Sequence, residues 1–173
     1  MKSVLIAAML AGFLGTASWA GTATVTLKGT APNSTIQGTV RLTDTPQGLQ
    51  VKTQFMGVPP GKHGFHIHEF GQCDDVAKSA GGHYNPMTQN HGDVLKSGVA
   101  HVHAGDLGNV TIGKDGSGTS EAVIPGLTLA DGTHTVAGRS IVLHEKEDDL
   151  TSQPAGNAGG RIACGPILLS SDH

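Results

Sequence analysis

The residues best placed to do chemistry in this chain are histidines at alternate positions. In GFHIHEFGQC, Gly64 to Cys73, one apolar residue separates His66 from His68. Strand side chains alternate between faces, so the two imidazoles share one face while Phe65 and Ile67 point the other way, into a core. Two adjacent imidazoles make either a solvated polar edge or part of a metal site, since neutral imidazole is the commonest metal-binding side chain. The segment SIVLH repeats the arrangement, with Ile141 and Leu143 on one side and Val142 and His144 on the other. Between these segments lie His83 in AGGHYNP, His91 in QNHGD, and His101, His103 and Asp106 in HVHAGDL. Ten histidines occur in all, and this gathering of imidazoles around an aspartate points to metal.

Short alternating segments must position these groups. ATVTLKG, STIQGTVRLT and GLQVKTQF alternate apolar with polar residues, and HGFHIHE continues the series. After a long histidine-rich stretch come LGNVTIG, GTSEAVIPG, GRSIVLHE and RIACGPILL. Eight short strands separated by turn residues predict an all-β fold, an eight-stranded antiparallel barrel or sandwich. The glycines of GKDGSG, Gly113 to Gly118, suit a hairpin turn. No convincing amphipathic helix interrupts the series. Two segments break its rhythm, Phe70 to Gly105 and Glu145 to Gly160, and loops this long in a compact domain are usually functional or mobile.

Composition narrows the classes further. A net charge of -3 without Lys/Arg runs argues against a nucleic-acid partner. The first 20 residues have a basic Lys2, an apolar run and small residues at Ser18 and Ala20, the layout of a secretory signal peptide cleaved after Ala20. The run is too short for a confident membrane span, and no cysteine offers a lipid anchor at the cleavage point. Residues 21–173 then form a single domain able to build its own core. Export implies an oxidising compartment, where a disulfide persists. Cys73 and Cys164 are the only cysteines; they either pair with each other or remain as two thiols.

GFHIHEFGQC, SAGGHYNP, NHGD, HAGDLGNV, GRSIVLHEKEDDL and GNAGGRIACG resemble, in order, the successive motifs of the copper/zinc superoxide dismutase family. The resemblance implies a Greek-key β-barrel. It also implies dismutation of superoxide to dioxygen and hydrogen peroxide by a redox-cycling copper beside a structural zinc. Carried across, it makes His66, His68, His83 and His144 the copper ligands and His83, His91, His103 and Asp106 the zinc ligands. His83 is then the bridge between them and the proton carrier. All-nitrogen ligation suits a metal that changes oxidation state, and three imidazoles with a carboxylate suit Zn²⁺. His103 is preferred to His101 because the family motif sets the aspartate three positions after the ligand, as in His103 to Asp106. Arg161 is implied as the residue that handles the anionic substrate, Asp148 as the carboxylate linking a copper histidine to a zinc histidine, and Cys73–Cys164 as a disulfide tying the loop after β-strand HGFHIHE to the strand of Arg161. His63 is implied as a brace between loops.

The stretch Asp149 to Gly156 departs from the family, being shorter than in the eukaryotic enzymes and lacking their charged residues; Lys62, Lys78 or Lys96 are candidates to steer the substrate instead. Two other classes were open. A copper-buffering protein on the same scaffold would lack a copper histidine or the arginine, and a zinc hydrolase would leave zinc an open position. The compact loop suggests a periplasmic protein, an extracellular one being the alternative, and the resemblance leaves room for a homodimer.

Overall fold

The computed structural model of the protein describes residues 21–170. The proposed leader 1–20 and His173 lie outside them. Eight strands follow one another: β1 (Thr22–Gly29), β2 (Gln37–Thr45), β3 (Gly48–Met56), β4 (Gly61–His68), β5 (Asp106–Ile112), β6 (Gly118–Ile124), β7 (Ser140–His144) and β8 (Arg161–Pro166). They form one antiparallel sheet in the order β5-β4-β7-β8-β1-β2-β3-β6. The edge strands β5 and β6 are joined by the tight turn in which Gly113 N–H donates to Ser117 O at 2.8 Å. The sheet thus curls into a barrel that is nearly closed.

Alternation explains the barrel interior. Ala23, Val25 and Leu27 of β1 are buried while Thr22, Thr24 and Thr26 are exposed. Val40 and Leu42 of β2 and Leu49, Val51 and Phe55 of β3 repeat the pattern. Phe55 meets Phe65 edge to face across the interior, with ring centroids 5.8 Å apart. A Cβ at Gly38 would press on the Phe55 ring, so the smallest residue on β2 makes room for the largest on β3.

All eight expected strands are present, with ends shifted. β2 starts only at Gln37 because Ser34 turns the chain, its Oγ accepting from Ile36 N–H at 3.2 Å. β8 stops at Pro166, which has no N–H to extend the ladder. The histidine-rich segment, read as a plain loop, also holds a 3₁₀ turn at Lys78–Ala80 and one helical turn, α1 (Val94–Ser97), whose first turn is capped by Asp93.

β4 and β7 differ from the other strands. From His63 to His68 and from Ser140 to His144 every residue is buried. One face packs into the barrel through Phe65, Ile67, Ile141 and Leu143. The other face carries the histidines and is covered by the two long segments. These are tied down by Glu69 N–H to Gly82 O (3.0 Å), Tyr84 N–H to Ile67 O (2.9 Å), Glu145 N–H to Gly160 O (2.7 Å) and Lys146 N–H to Ala158 O (2.8 Å). Ladder register shifts between Gly64 and His66, and again between Leu143 and His144. Such irregularities re-aim side chains beside functional sites.

Cys73 and Cys164 form a disulfide, Cα atoms 5.7 Å apart, that fastens residues 70–81 to β8. Val142, Ala77 and Ala80 pack around it. Replacing both cysteines by serine is expected to lower unfolding stability by about 2–5 kcal/mol, as a bridge spanning a long loop does. The urea midpoint of the double variant checks this; an unchanged midpoint would show that the bridge contributes nothing.

Candidate metal centre

The buried face of β4 and β7 and the covering loops bring together two groups of potential ligands. One atom from each of His66, His68, His83 and His144 lies within 4.8 Å of the others, and so does one from each of His83, His91, His103 and Asp106. His83 stands in both groups. His66 and His68 come from β4 and His144 from the end of β7. His83 lies beside β4 through an isolated bridge to His68, and Asp106 opens β5 opposite His66.

Hydrogen bonds decide which ring nitrogen of each histidine is free. Asp148 Oδ2 accepts from His66 Nε2–H at 2.7 Å, and its Oδ1 accepts from His91 Nε2–H at 2.9 Å. An ionised carboxylate only accepts, so both rings keep their proton on Nε2 and turn the Nδ1 lone pair inward. His68 Nδ1–H donates to Gly81 O at 3.1 Å and His144 Nδ1–H to Gly159 O at 3.3 Å. Their Nε2 lone pairs then face each other at 3.2 Å, an arrangement that is repulsive unless a cation lies between.

The buried atoms His66 Nδ1, His83 Nε2 and His91 Nδ1 have no hydrogen-bond partner. His91 Nδ1 is 2.9 Å from Asp106 Oδ2 but not in hydrogen-bonding alignment. Asp106 Oδ1 is 2.7 Å from His83 Nδ1 and 3.2 Å from His103 Nδ1, and Oδ2 accepts from Gly92 N–H at 2.8 Å. Buried acceptors without donors are costly, and metal cations supply what they lack. The donor sets therefore fit two cations, one in an all-nitrogen group and one in a group of three nitrogens and a carboxylate oxygen.

Burial, reinforced by the neighbouring His83 and then Arg161, pushes His68 down to about 2, and burial reinforced by His66, His83 and Arg161 pushes His144 to about 3. Burial also lowers His83 to about 4, although Asp106 opposes it. For His91 burial is outweighed by the adjacent Asp106 and Asp148 carboxylates, which raise it to about 9. Burial would raise both carboxylates, but hydrogen bonds from the surrounding histidines hold Asp106 and Asp148 well below the usual range. His68, His83 and His144 are thus neutral beside ionised carboxylates, as metal binding requires, whereas His91 has to release a proton to offer its lone pair to a cation.

Of the other sequence candidates, His101 is exposed and outside both groups. His63 is buried, with Nδ1 2.9 Å from His144 O and Nε2 2.8 Å from Pro59 O, and so links β4 to the end of β7. Arg161 is a cross-strand neighbour of His144, and its guanidinium donates to Ala77 O and Gly81 O, both at 2.6 Å. The candidate steering lysines are each offset by a carboxylate: Lys62 by Glu147 (2.9 Å), Lys78 by Asp75 (3.6 Å) and Lys96 by Asp93 (3.2 Å). Asn109 and Gly156 escaped the sequence reading. The Asn109 side chain accepts from Asp148 N–H and donates to Asp148 O, both at 2.8 Å. At Gly156, with φ of 63°, a Cβ would overlap Asp148 Oδ1 and crowd His91 Nε2. A glycine two residues after a proline carries no such signal in one sequence.

The pKa directions fix a pH profile for protein stripped of metal by a chelator. His68, His83 and His144 are depressed below 6.5, so their contribution is complete above that pH and lost as pH falls through their folded values. His91 is raised, so its contribution is complete below 6.5 and lost as pH rises toward 9. Stability of the stripped protein should peak near pH 6.5 and fall more steeply on the acid side, each histidine contributing up to about 1.4 kcal/mol per pH unit. Urea midpoints across this range test it, and a steady rise to pH 9 would contradict it.

Comparison with known proteins agrees with the geometry. Residues 36–167 match the profile of the family described as copper/zinc superoxide dismutase (SODC). The chain is 35% identical over 148 residues to an extracellular superoxide dismutase [Cu-Zn] of Brugia pahangi, covering 80% of this chain and 72% of that one. Among solved structures, the crystal structure of the clock protein EA4 superposes with a TM-score of 0.77 at 35% identity, covering 92% of this chain and 99% of that chain. With its two clustered ligand groups and this match over most of its length, the chain belongs to the copper/zinc superoxide dismutase family and is an oxidoreductase that dismutes superoxide using copper and zinc.

Proposed function

We propose that His66, His68, His83 and His144 hold the copper, that His83, His91, His103 and Asp106 hold the zinc, and that Arg161 binds the superoxide anion. The observation that carries this reading is the sharing of His83 by two four-residue groups whose free lone pairs converge. When bound, copper supplies the one-electron cycle by which two superoxide ions and two protons become dioxygen and hydrogen peroxide.

The chain's own residues prepare that cycle. The Arg161 guanidinium is held by two carbonyls of the loop that the disulfide fastens, and its remaining N–H groups and charge face an incoming small anion. His83 Nε2 is buried and unpartnered, so it is the atom at which a proton is held and then passed to departing peroxide. Asp106 steadies the other side of the same ring, at 2.7 Å from Nδ1. Asp148 orients one ring in each group.

In this reading residues 1–20 are an export signal and 21–173 the mature enzyme, which protects the cell envelope from superoxide in the periplasm. The extracellular relative supports export.

The purified mature protein is expected to carry one copper and one zinc per chain. Arg161→Ala should keep both metals and lower the superoxide rate constant roughly 10- to 100-fold, the range for loss of a charge-assisted hydrogen bond. Arg161→Lys should recover part of the rate, since it restores charge without the planar fork. Equal rates for parent and Arg161→Ala at equal metal content would remove the arginine from the mechanism.

A further inference from the structure

The short segment after Asp149 contributes a contact that the metal-site reading does not use. His91 is buried, and its main chain lies outside any helix or strand. Its backbone N–H donates to Gln153 Oε1 at 2.8 Å, and its carbonyl accepts from Gln153 Nε2 at 3.1 Å. Gln153 Nε2 also donates to Thr151 O at 3.2 Å, which uses its second hydrogen and fixes the plane of the carboxamide. One side chain thus satisfies both main-chain polar groups of a buried residue, as a neighbouring strand would.

This clamp reaches two members of the second ligand group. Holding the His91 peptide sets the direction of the imidazole, whose Nε2 is fixed by Asp148 and whose Nδ1 points into the group. It also sets the next amide, since Gly92 N–H donates to Asp106 Oδ2 at 2.8 Å. Gln153 sits on the segment of Asp148, and His91 on the other long loop. The carboxamide is therefore a cross-loop tie at the point where both loops meet the site.

We propose that Gln153 is a positioning residue for zinc. By gripping the His91 main chain it aligns His91 and Asp106 before the ion arrives, in the segment that is shortened relative to the eukaryotic enzymes. The inference rests on the zinc assignment made above. Its role is to lower the reorganisation needed on binding, so it acts on metal affinity rather than on the redox step.

The test measures Zn²⁺ affinity of copper-free mature protein by competition with a chromophoric chelator, together with the visible spectrum of Co²⁺ in the same site. Gln153→Ala should weaken zinc binding roughly 10- to 100-fold, as loss of an outer-sphere partner does, and should broaden the tetrahedral Co²⁺ bands. Gln153→Glu should fall between Gln153→Ala and the parent, because it still accepts from His91 N–H but no longer donates to His91 O. Asn157→Ala removes a bond to Asp149 in the same loop without touching His91, and should leave both readouts at parental values. The clamp is overturned if Gln153→Ala binds zinc within twofold of the parent, or if Asn157→Ala loses as much affinity. A parent protein with neither zinc affinity nor a tetrahedral Co²⁺ spectrum would instead overturn the zinc assignment itself, and the clamp with it.

Discussion

Asp148 is the contact on which the geometry of the site turns. Its two oxygens take the Nε2 protons of His66 and His91, one ring from each ligand group, and so aim both Nδ1 lone pairs inward. A carboxylate can do this only while ionised, and burial alone would drive it toward the neutral acid. The histidine hydrogen bonds reverse that tendency, as does Leu150 N–H, 2.7 Å from Oδ1. Asn109 then holds the Asp148 main chain from β5, so the position of the carboxylate is inherited from the barrel rather than from the mobile reach of a loop.

The barrel's part is to give two central strands a buried outer face. Most of the sheet alternates between core and solvent, as β1 shows, but β4 and β7 are covered on both sides. An imidazole on such a strand loses water without entering the hydrocarbon core. Desolvation keeps His68, His83 and His144 uncharged at neutral pH, with their lone pairs available. The covering loops supply the carbonyls of Gly81 and Gly159 that choose the tautomers of His68 and His144. The Gly81 carbonyl serves Arg161 as well, so one peptide unit aligns a histidine and this guanidinium together. The disulfide keeps that peptide close to β8.

Positive charge beside the histidines is local in this protein. Lys62, Lys78 and Lys96 are paired with carboxylates at distances of 2.9–3.6 Å, and exposed pairs of this kind cancel much of each other's field beyond a Debye length. Arg161 is the cation that adjoins the histidines directly, through its ladder partner His144. Its bonds to the Ala77 and Gly81 carbonyls use part of its donor set to fix its own position.

Much of this was legible in the amino-acid order. Period-two alternation is a local property, and it located all eight strands and the shared face of His66 and His68. The ordered motifs brought in the other histidines and Asp106 through the family resemblance, although His83, His91 and His103 lie on loops rather than strands. Strand ends were less legible, since a serine turn at residue 34 and a proline at 166 decide them through single hydrogen bonds. Three things were settled only when the chain folded: the grip of Asn109 on Asp148, the need for Gly156 beside that carboxylate and His91, and the pairing of Lys62 with Glu147. Each depends on contacts of a few ångströms that only the fold creates, and no periodicity or composition records which side chain will fill a given space.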